Sequence, residues 1–230
     1  MVNDSSFEIA PSTKKLLSYG NYLGLTVNRI LLSDSGYRMV RKKRYELFMD
    51  VADIGASYQP GHTHSDTFNF ILNVNNEPFI VDTGTSTYEK NKVRQLERST
   101  SSHNTVIIGN KEQTQVWNGF RVAKRAKIIL LNESINVVKS SHDGYKNIGI
   151  IHTREFFTKK DFIIINDYLT QQTYYKQIAN FHFHPSITNL IIENSKIIIK
   201  NPNVEISFKG INISIIKDSY NFALGFNKTK

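Results

Sequence analysis

Cysteine is missing from all 230 residues, which rules out a disulfide scaffold and a thiolate zinc site and leaves any metal centre with nitrogen and oxygen ligands. Nowhere is there a run of about 18 apolar residues, the length a helix needs to cross a bilayer, so no membrane span is expected. Residues 1–11 lack the basic stretch followed by an apolar one that marks a secretory leader, and the chain reads as soluble. Internal repeats and low-complexity linkers are absent too. Acidic residues are the minority, 20 against 29 Lys and Arg, for a formal net charge of +9. Such a surplus attracts an anionic partner, whether nucleic acid, phospholipid or acidic polysaccharide, without choosing among them. Nucleic acid is disfavoured, because no basic helix, RNP-like aromatic motif or zinc-finger spacing accompanies the charge.

What is present is a globular composition, 40% hydrophobic and 11% aromatic, enough for one large core or two small ones. Residues 12–24 read as a short helix or linker with Ser12 as N-cap and an end near Gly20. Everything afterwards reads as strand. The stretches 37–40, 45–51, 68–74, 79–81, 105–108, 127–131, 162–169 and 197–199 are rich in β-branched and aromatic residues and are bounded by Gly, Asn, Asp or Ser. Their spacing predicts an all-β fold, an antiparallel β-sandwich with a short helical N-terminal segment. Between two apolar runs, Asn75-Asn76 is suited to positive φ and so to a hairpin. From about residue 186 the chain is Ile/Asn/Lys-rich, which suits peripheral strands.

Four stretches carry chemistry. In "PGHTHSD" a strand would send His62, His64 and Asp66 to one face, although an HxH pair also occurs in inert turns. "IVDTGTSTY" brings Asp82 into a glycine-containing turn, and "RSTSSHNTVIIG" sets His103 before a strand with Arg94 and Arg98 upstream. "FHFHP" repeats the HxH spacing at His182 and His184 and reads as a core feature. Two histidines and one carboxylate suit a borderline metal such as zinc, so His64, Asp82 and His103 would form a cage if the sheet brought them together. Arg94, Arg98 and Arg121 are candidates to hold acidic sugars, with pairing to Glu89, Glu97 or Asp50 as the alternative. Tyr58 and Tyr88 flank the motif turns, where they would stack on sugar rings or pack on the sheet. Trp117 is expected beneath the site, with Gln113 and Gln115 on its face of a strand. His142 and His152 are assigned to the surface or to packing.

The blocks "DVADIGASYQPGHTHSDTFNFIL", "PFIVDTGTSTYEKNKVRQLERSTSSHNTVIIGNKEQTQVW" and "FRVAKRAKI", with "DSGYRMVR" before them, resemble the C-terminal β-sheet domain of the heparinase II/III-like family of polysaccharide lyases. The resemblance is dense over residues 33–126 and extends loosely to 185. It implies that residues 33–230 form the sandwich and that residues 1–32 are a linker or the last helix of a missing α/α toroid. It also implies β-elimination on a uronic-acid polysaccharide, one structural zinc ion on His64, Asp82 and His103, and His62 facing the cleft as a sugar-binding or catalytic side chain. The family's leaving-group tyrosine and its uronate-neutralising Asn or His lie on the toroid, so this chain alone is expected to be inactive. The expected partners are an acidic polysaccharide, alginate-like, glycosaminoglycan-like or a bacterial exopolysaccharide, and the toroid of the same protein. The expected location is the periplasm or the exterior. A non-catalytic carbohydrate-binding or polysaccharide-assembly module is the alternative from another class.

Overall fold

The structure is a computed structural model that describes residues 4, 11–26, 34–56 and 58–229. The expected boundary between residues 32 and 33 falls outside the described residues. Helix α1, Thr13–Tyr22, starts as expected, with the Ser12 side chain accepting from the Lys15 N–H. It runs through Gly20 and stops at Leu23, ahead of Gly24 at φ 71°. The left-handed residue that ends the helix is therefore Gly24 rather than Gly20.

The first antiparallel sheet has the order β1-β2-β3-β4, with β1 at Tyr37–Arg41, β2 at Tyr45–Asp50, β3 at Phe70–Val74 and β4 at Glu77–Ile80. The β3–β4 turn is Asn75-Asn76, both at positive φ (53° and 67°), as the hairpin pattern requires. Next comes α2, Lys92–Glu97, whose N-cap Asn91 accepts from the Arg94 N–H. The expectation of strand throughout this region is corrected here. Strand β5, Val106–Ile108, follows, then the short pair β6, Val116–Trp117, and β7, Arg121–Val122.

A second four-stranded sheet has the order β11-β10-β9-β8, from β8 (Ile128–Ser134), β9 (Val137–His142), β10 (His152–Thr158) and β11 (Ile163–Leu169). Strand β12, Gln177–Ala179, pairs with β5, and β13 (Leu190–Glu193), β14 (Lys196–Ile199) and β15 (Val204–Ser207) form a third antiparallel sheet. The "FHFHP" segment lies along β4, with a bridge between Ile80 and Phe183.

The main apolar core joins the two four-stranded sheets and the β13–β15 sheet: Tyr45, Leu47 and Met49 from β2, Phe70 from β3, Phe79 from β4, Val138 from β9, Phe156 from β10, and Ile197 and Ile199 from β14, while Val106 and Ile108 of β5 pack with Tyr145 and Ile150 in a smaller one. The Ile-rich tail thus closes the core rather than lying outside it. Period-two alternation explains which side chains face in. Along β10 it buries His152, Arg154, Phe156 and Thr158 in turn. The polar members of that row are paired: Arg154 lies opposite Asp167 in register and holds it through Nε (2.8 Å) and Nη2 (2.9 Å).

Candidate functional site

The "GHTHSD" stretch is not a strand. Pro60–His62 is a 3-10 turn with proline in its first turn, and Thr63 then returns the backbone to the extended region. Strict alternation is lost there, so His62 and His64 separate: the His62 side chain is 56% exposed and that of His64 fully buried. Helix α2 clamps the turn. Arg98 donates from Nε to the Thr63 carbonyl (2.8 Å), its own carbonyl accepts from the Ser65 N–H (2.9 Å), and Arg94 Nη2 reaches the Gly61 carbonyl (3.4 Å). The four-residue spacing of the two arginines puts both on the same face of the helix end.

Asp82 leaves β4 into a turn that its own carboxylate closes, by accepting from the Gly84 N–H (2.9 Å). His103 follows a second 3-10 turn, Thr100–Ser102, and its Nδ1–H donates to Asp82 Oδ2 (2.7 Å). Asn69 donates to the same oxygen (2.6 Å). The His64 and His103 rings lie 5.3 Å apart. His64 gives its Nε2–H to a carboxylate of Asp4 (2.7 Å). Each buried imidazole therefore spends one nitrogen on a carboxylate and turns the other inward without a partner: His64 Nδ1, His103 Nε2 and, beside them, Asp66 Oδ2 have no hydrogen bond. Unpaired buried polar atoms are costly and call for a ligand or another purpose.

Electrostatics point the same way. Against the burial that would raise it, the charge and N–H of His103 hold the Asp82 carboxyl well below its usual range. Burial would suppress the charged form of His103, yet Asp82 raises its pKa. For His64 burial wins and favours the neutral ring. Asp50 is pushed well up by burial and by the nearby Asp66 charge, and Asp66 is raised by its own burial. The neutral His64 ring, a His103 ring that would give up its proton on binding, and carboxylates in one dry cluster form the kind of nitrogen and oxygen donor set that zinc takes. Among the described residues, no three such side chains stand as a finished metal cage.

On the outer side of His64, the Asp4 carboxylate sits in a cationic cradle. Arg94 grips it through Nη1 and through Nη2 at 2.6 Å, His62 Nδ1 lies at 2.8 Å and the Thr85 hydroxyl at 3.3 Å. The Tyr88 hydroxyl donates to the Asp4 carbonyl (3.3 Å), and the Arg94 guanidinium lies 5.1 Å from the Tyr88 ring centroid and 5.4 Å from that of Phe120. His62, His64, Arg94 and Tyr88 are thereby brought to one place. The two remaining candidates are not. Arg98 is buried against backbone carbonyls with Nη2 unpartnered, its pKa pushed down to about 10 by burial and by Arg94. Tyr58 is 87% exposed on its turn.

The alternative pairing of these arginines with acids also differs from what was expected. Glu97 instead accepts from the Ser86 N–H (2.8 Å), and Arg94 takes Asp4. Trp117, expected beneath the site, is 46% exposed under the Arg121 guanidinium, 5.1 Å from its ring centroid, because its two-residue strand turns that face outward. Gln115 is exposed with it, while Gln113 is buried and donates to Thr105 (2.9 Å). His182 is buried against Asn104 Oδ1, with its pKa driven down to about 4 by burial.

Three residues of the site escaped sequence reasoning. Asp4 lies far away in sequence and in no pattern. Asn69 and Asn104 hold the cluster's frame: Asn104 donates to the Phe70 and Val81 carbonyls (2.8 and 2.9 Å), and its N–H reaches Asn69 Oδ1 (2.9 Å). The only signal for Asn104 was its place beside His103 in "SHNT".

Comparison with known proteins places the fold. The family described as "Heparinase II/III-like, C-terminal" matches residues 26–223. A mutant of the heparan sulfate lyase HepC of Pedobacter heparinus is similar in structure, with a TM-score of 0.72 at 16% identity over 94% of this chain and 37% of that one. A heparinase III gene product gives a TM-score of 0.73 at 15% identity over 99% of this chain and 39% of the other. Another heparinase III gives 0.64 at 17% identity over 86% and 34%. At these identities the likeness is one of fold. The chain spans well under half the length of each. No curated protein matches it in sequence.

Proposed function

The chain belongs to the heparinase II/III-like polysaccharide lyase family, whose C-terminal domain it carries, and from that premise we propose that it is the sandwich half of a lyase acting on a uronic-acid polysaccharide. The observation that carries this reading is the convergence of His62, Arg94 and Tyr88 around a carboxylate at the mouth of a buried histidine–aspartate cluster.

In β-elimination the proton α to a uronate carboxylate is removed, the bond to the leaving glycosidic oxygen breaks, a carbon–carbon double bond forms and the departing oxygen is protonated. The step needs the carboxylate neutralised, because negative charge builds on it as the proton leaves. Arg94, locked by stacking and by carbonyls, supplies a bidentate cation of the right shape. His62, exposed and free of the buried cluster, orients a sugar and holds a proton at Nδ1. Tyr88 presents a ring and a hydroxyl beside it. The leaving-group tyrosine and the uronate-neutralising Asn or His belong to the toroid, as the family resemblance implies, and Arg94 adds its charge to that neutralisation.

His64, Asp82 and His103 are the residues to hold one zinc ion. When bound, that ion would cross-link the three loops that carry them and add folding stability. Support comes from the two unpartnered imidazole nitrogens and from the buried Asp82 carboxylate bonded to the His103 ring. The substrate class, an alginate- or glycosaminoglycan-like acid, is supported by the net charge of +9. A periplasmic or secreted location follows from such a substrate.

The test is binding and turnover with matched oligosaccharides, acidic and neutral. The chain should retain the uronate oligosaccharide weakly, ignore the neutral one and yield no ultraviolet-absorbing unsaturated product. His62→Ala should weaken binding roughly tenfold, the loss of one hydrogen bond to a charged group. Equal retention of the neutral sugar would contradict the substrate class, and rapid formation of unsaturated product would contradict the division of labour with the toroid.

A further inference from the structure

Arg94 is held by groups other than the residue that fills its cradle. Arg94 is fully buried, its Nε donates to the Gly119 carbonyl (3.1 Å), Nη2 reaches the Gly61 carbonyl (3.4 Å), and the Tyr88 and Phe120 rings cover it. His62, His64 and Thr85 add their hydrogen-bonding groups from the same part of the chain. The carboxylate they converge on belongs to Asp4, which comes from 58 positions before His62 and retains 4% of its side-chain exposure. A buried guanidinium aimed at an anion is costly if left unpaired. Something must therefore fill the cradle, and the chemistry specifies only a carboxylate.

We propose that this cradle is a binding site for a carboxylate supplied from outside, the acid group of a uronic sugar, and that Asp4 is an internal ligand that occupies it and must leave before the sugar enters. The inference rests on the reading of this face as an acidic-sugar site and adds a competitor to it. A group of the same chain competes as an intramolecular ligand, at an effective concentration rather than at a bulk one. An external uronate therefore has to displace Asp4, and its apparent affinity falls by the corresponding factor.

The experiment uses the whole chain with Asp4→Ala, and Asp4→Asn as a variant that keeps the volume, probed with sodium glucuronate and sodium acetate against sodium chloride at equal ionic strength. In chloride both variants should melt below the wild type. Glucuronate and acetate should raise their melting temperatures saturably, with an affinity on the order of tenfold or more above that of the wild type, whose melting point should barely move. Variants that do not respond to either carboxylate would show Asp4 to be an ordinary structural ion pair and overturn the proposal. A wild type that responds as strongly as the variants would show that Asp4 does not compete, and would overturn it too. The two readings fail separately: rescue by glucuronate without retention of any acidic oligosaccharide sinks the polysaccharide function alone. Retention by the wild type without rescue of the variants sinks this inference alone.

Discussion

His142 lies at the end of β9 with no exposed surface, and its two nitrogens are committed in opposite senses. Its Nδ1 accepts from the Gly144 N–H (3.0 Å), so the proton sits on Nε2, which faces His152 Nδ1 (3.1 Å). His152 in turn passes its Nε2–H to Asp167 (2.7 Å). Protonating His142 would place a second N–H against Gly144 and a cation in a dry interior beside Arg154. Burial, with His152 and Arg154 adding to it, accordingly drives the His142 pKa well down. The sign of the effect follows. A free histidine takes its proton near pH 6.5, so on acidification the unfolded chain binds a proton that the folded chain refuses. This contribution to stability is intact above about pH 6.5 and is lost as the pH falls towards the folded value, with a slope of up to about 1.4 kcal/mol per pH unit. In an NMR titration the His142 ring should stay neutral to a pH well below that at which free histidine protonates. A midpoint near that of free histidine would refute the buried relay.

At the scale of elements, the β3–β4 hairpin and α2 shape the site from either side. Asn75 and Asn76 both sit in the left-handed region, where a β-branched side chain is strained by about 1–2 kcal/mol. Asn76→Val should therefore lower the unfolding free energy from denaturant titration by that amount, while Asn76→Gly should be neutral or slightly stabilising; equal effects of the two would mean that the turn is not left-handed. This hairpin was legible because asparagine pairs and flanking apolar runs are local signals. Strands β9 and β10 were not legible. Their inward row includes Ser140, His142, His152 and Arg154, so polar residues occupy the positions where period two looks for apolar ones. Helix α2, with six residues, is too short to show a helical period, although it carries Arg94 and ends at Arg98, the two arginines that the motif had flagged. The turn at "PGHTHSD" misled the alternation argument for the opposite reason: proline and glycine there form a 3-10 turn instead of starting a strand.

At the scale of the molecule, an antiparallel sandwich closes over a main core and a smaller one while a string of buried polar side chains links its loops. The blocks that identified the family, "GHTHSD", "VDTG" and "RSTSSHNT", are the loops where this string comes together. Sequence motifs found them because loop chemistry is written in short contiguous runs. Asp4 and the asparagine frame stayed hidden because their partners are tens of residues away and are set by the fold alone. The account rests most on the claim that His64, Asp82 and His103 hold a metal and that His62 does not. Elemental analysis of the purified wild type and of the four single alanine variants tests it most directly. The predicted result is one zinc per chain in the wild type and in His62→Ala, and none in His64→Ala, Asp82→Ala or His103→Ala. Zinc lost from His62→Ala and kept in His64→Ala, or no zinc in the wild type, would contradict it.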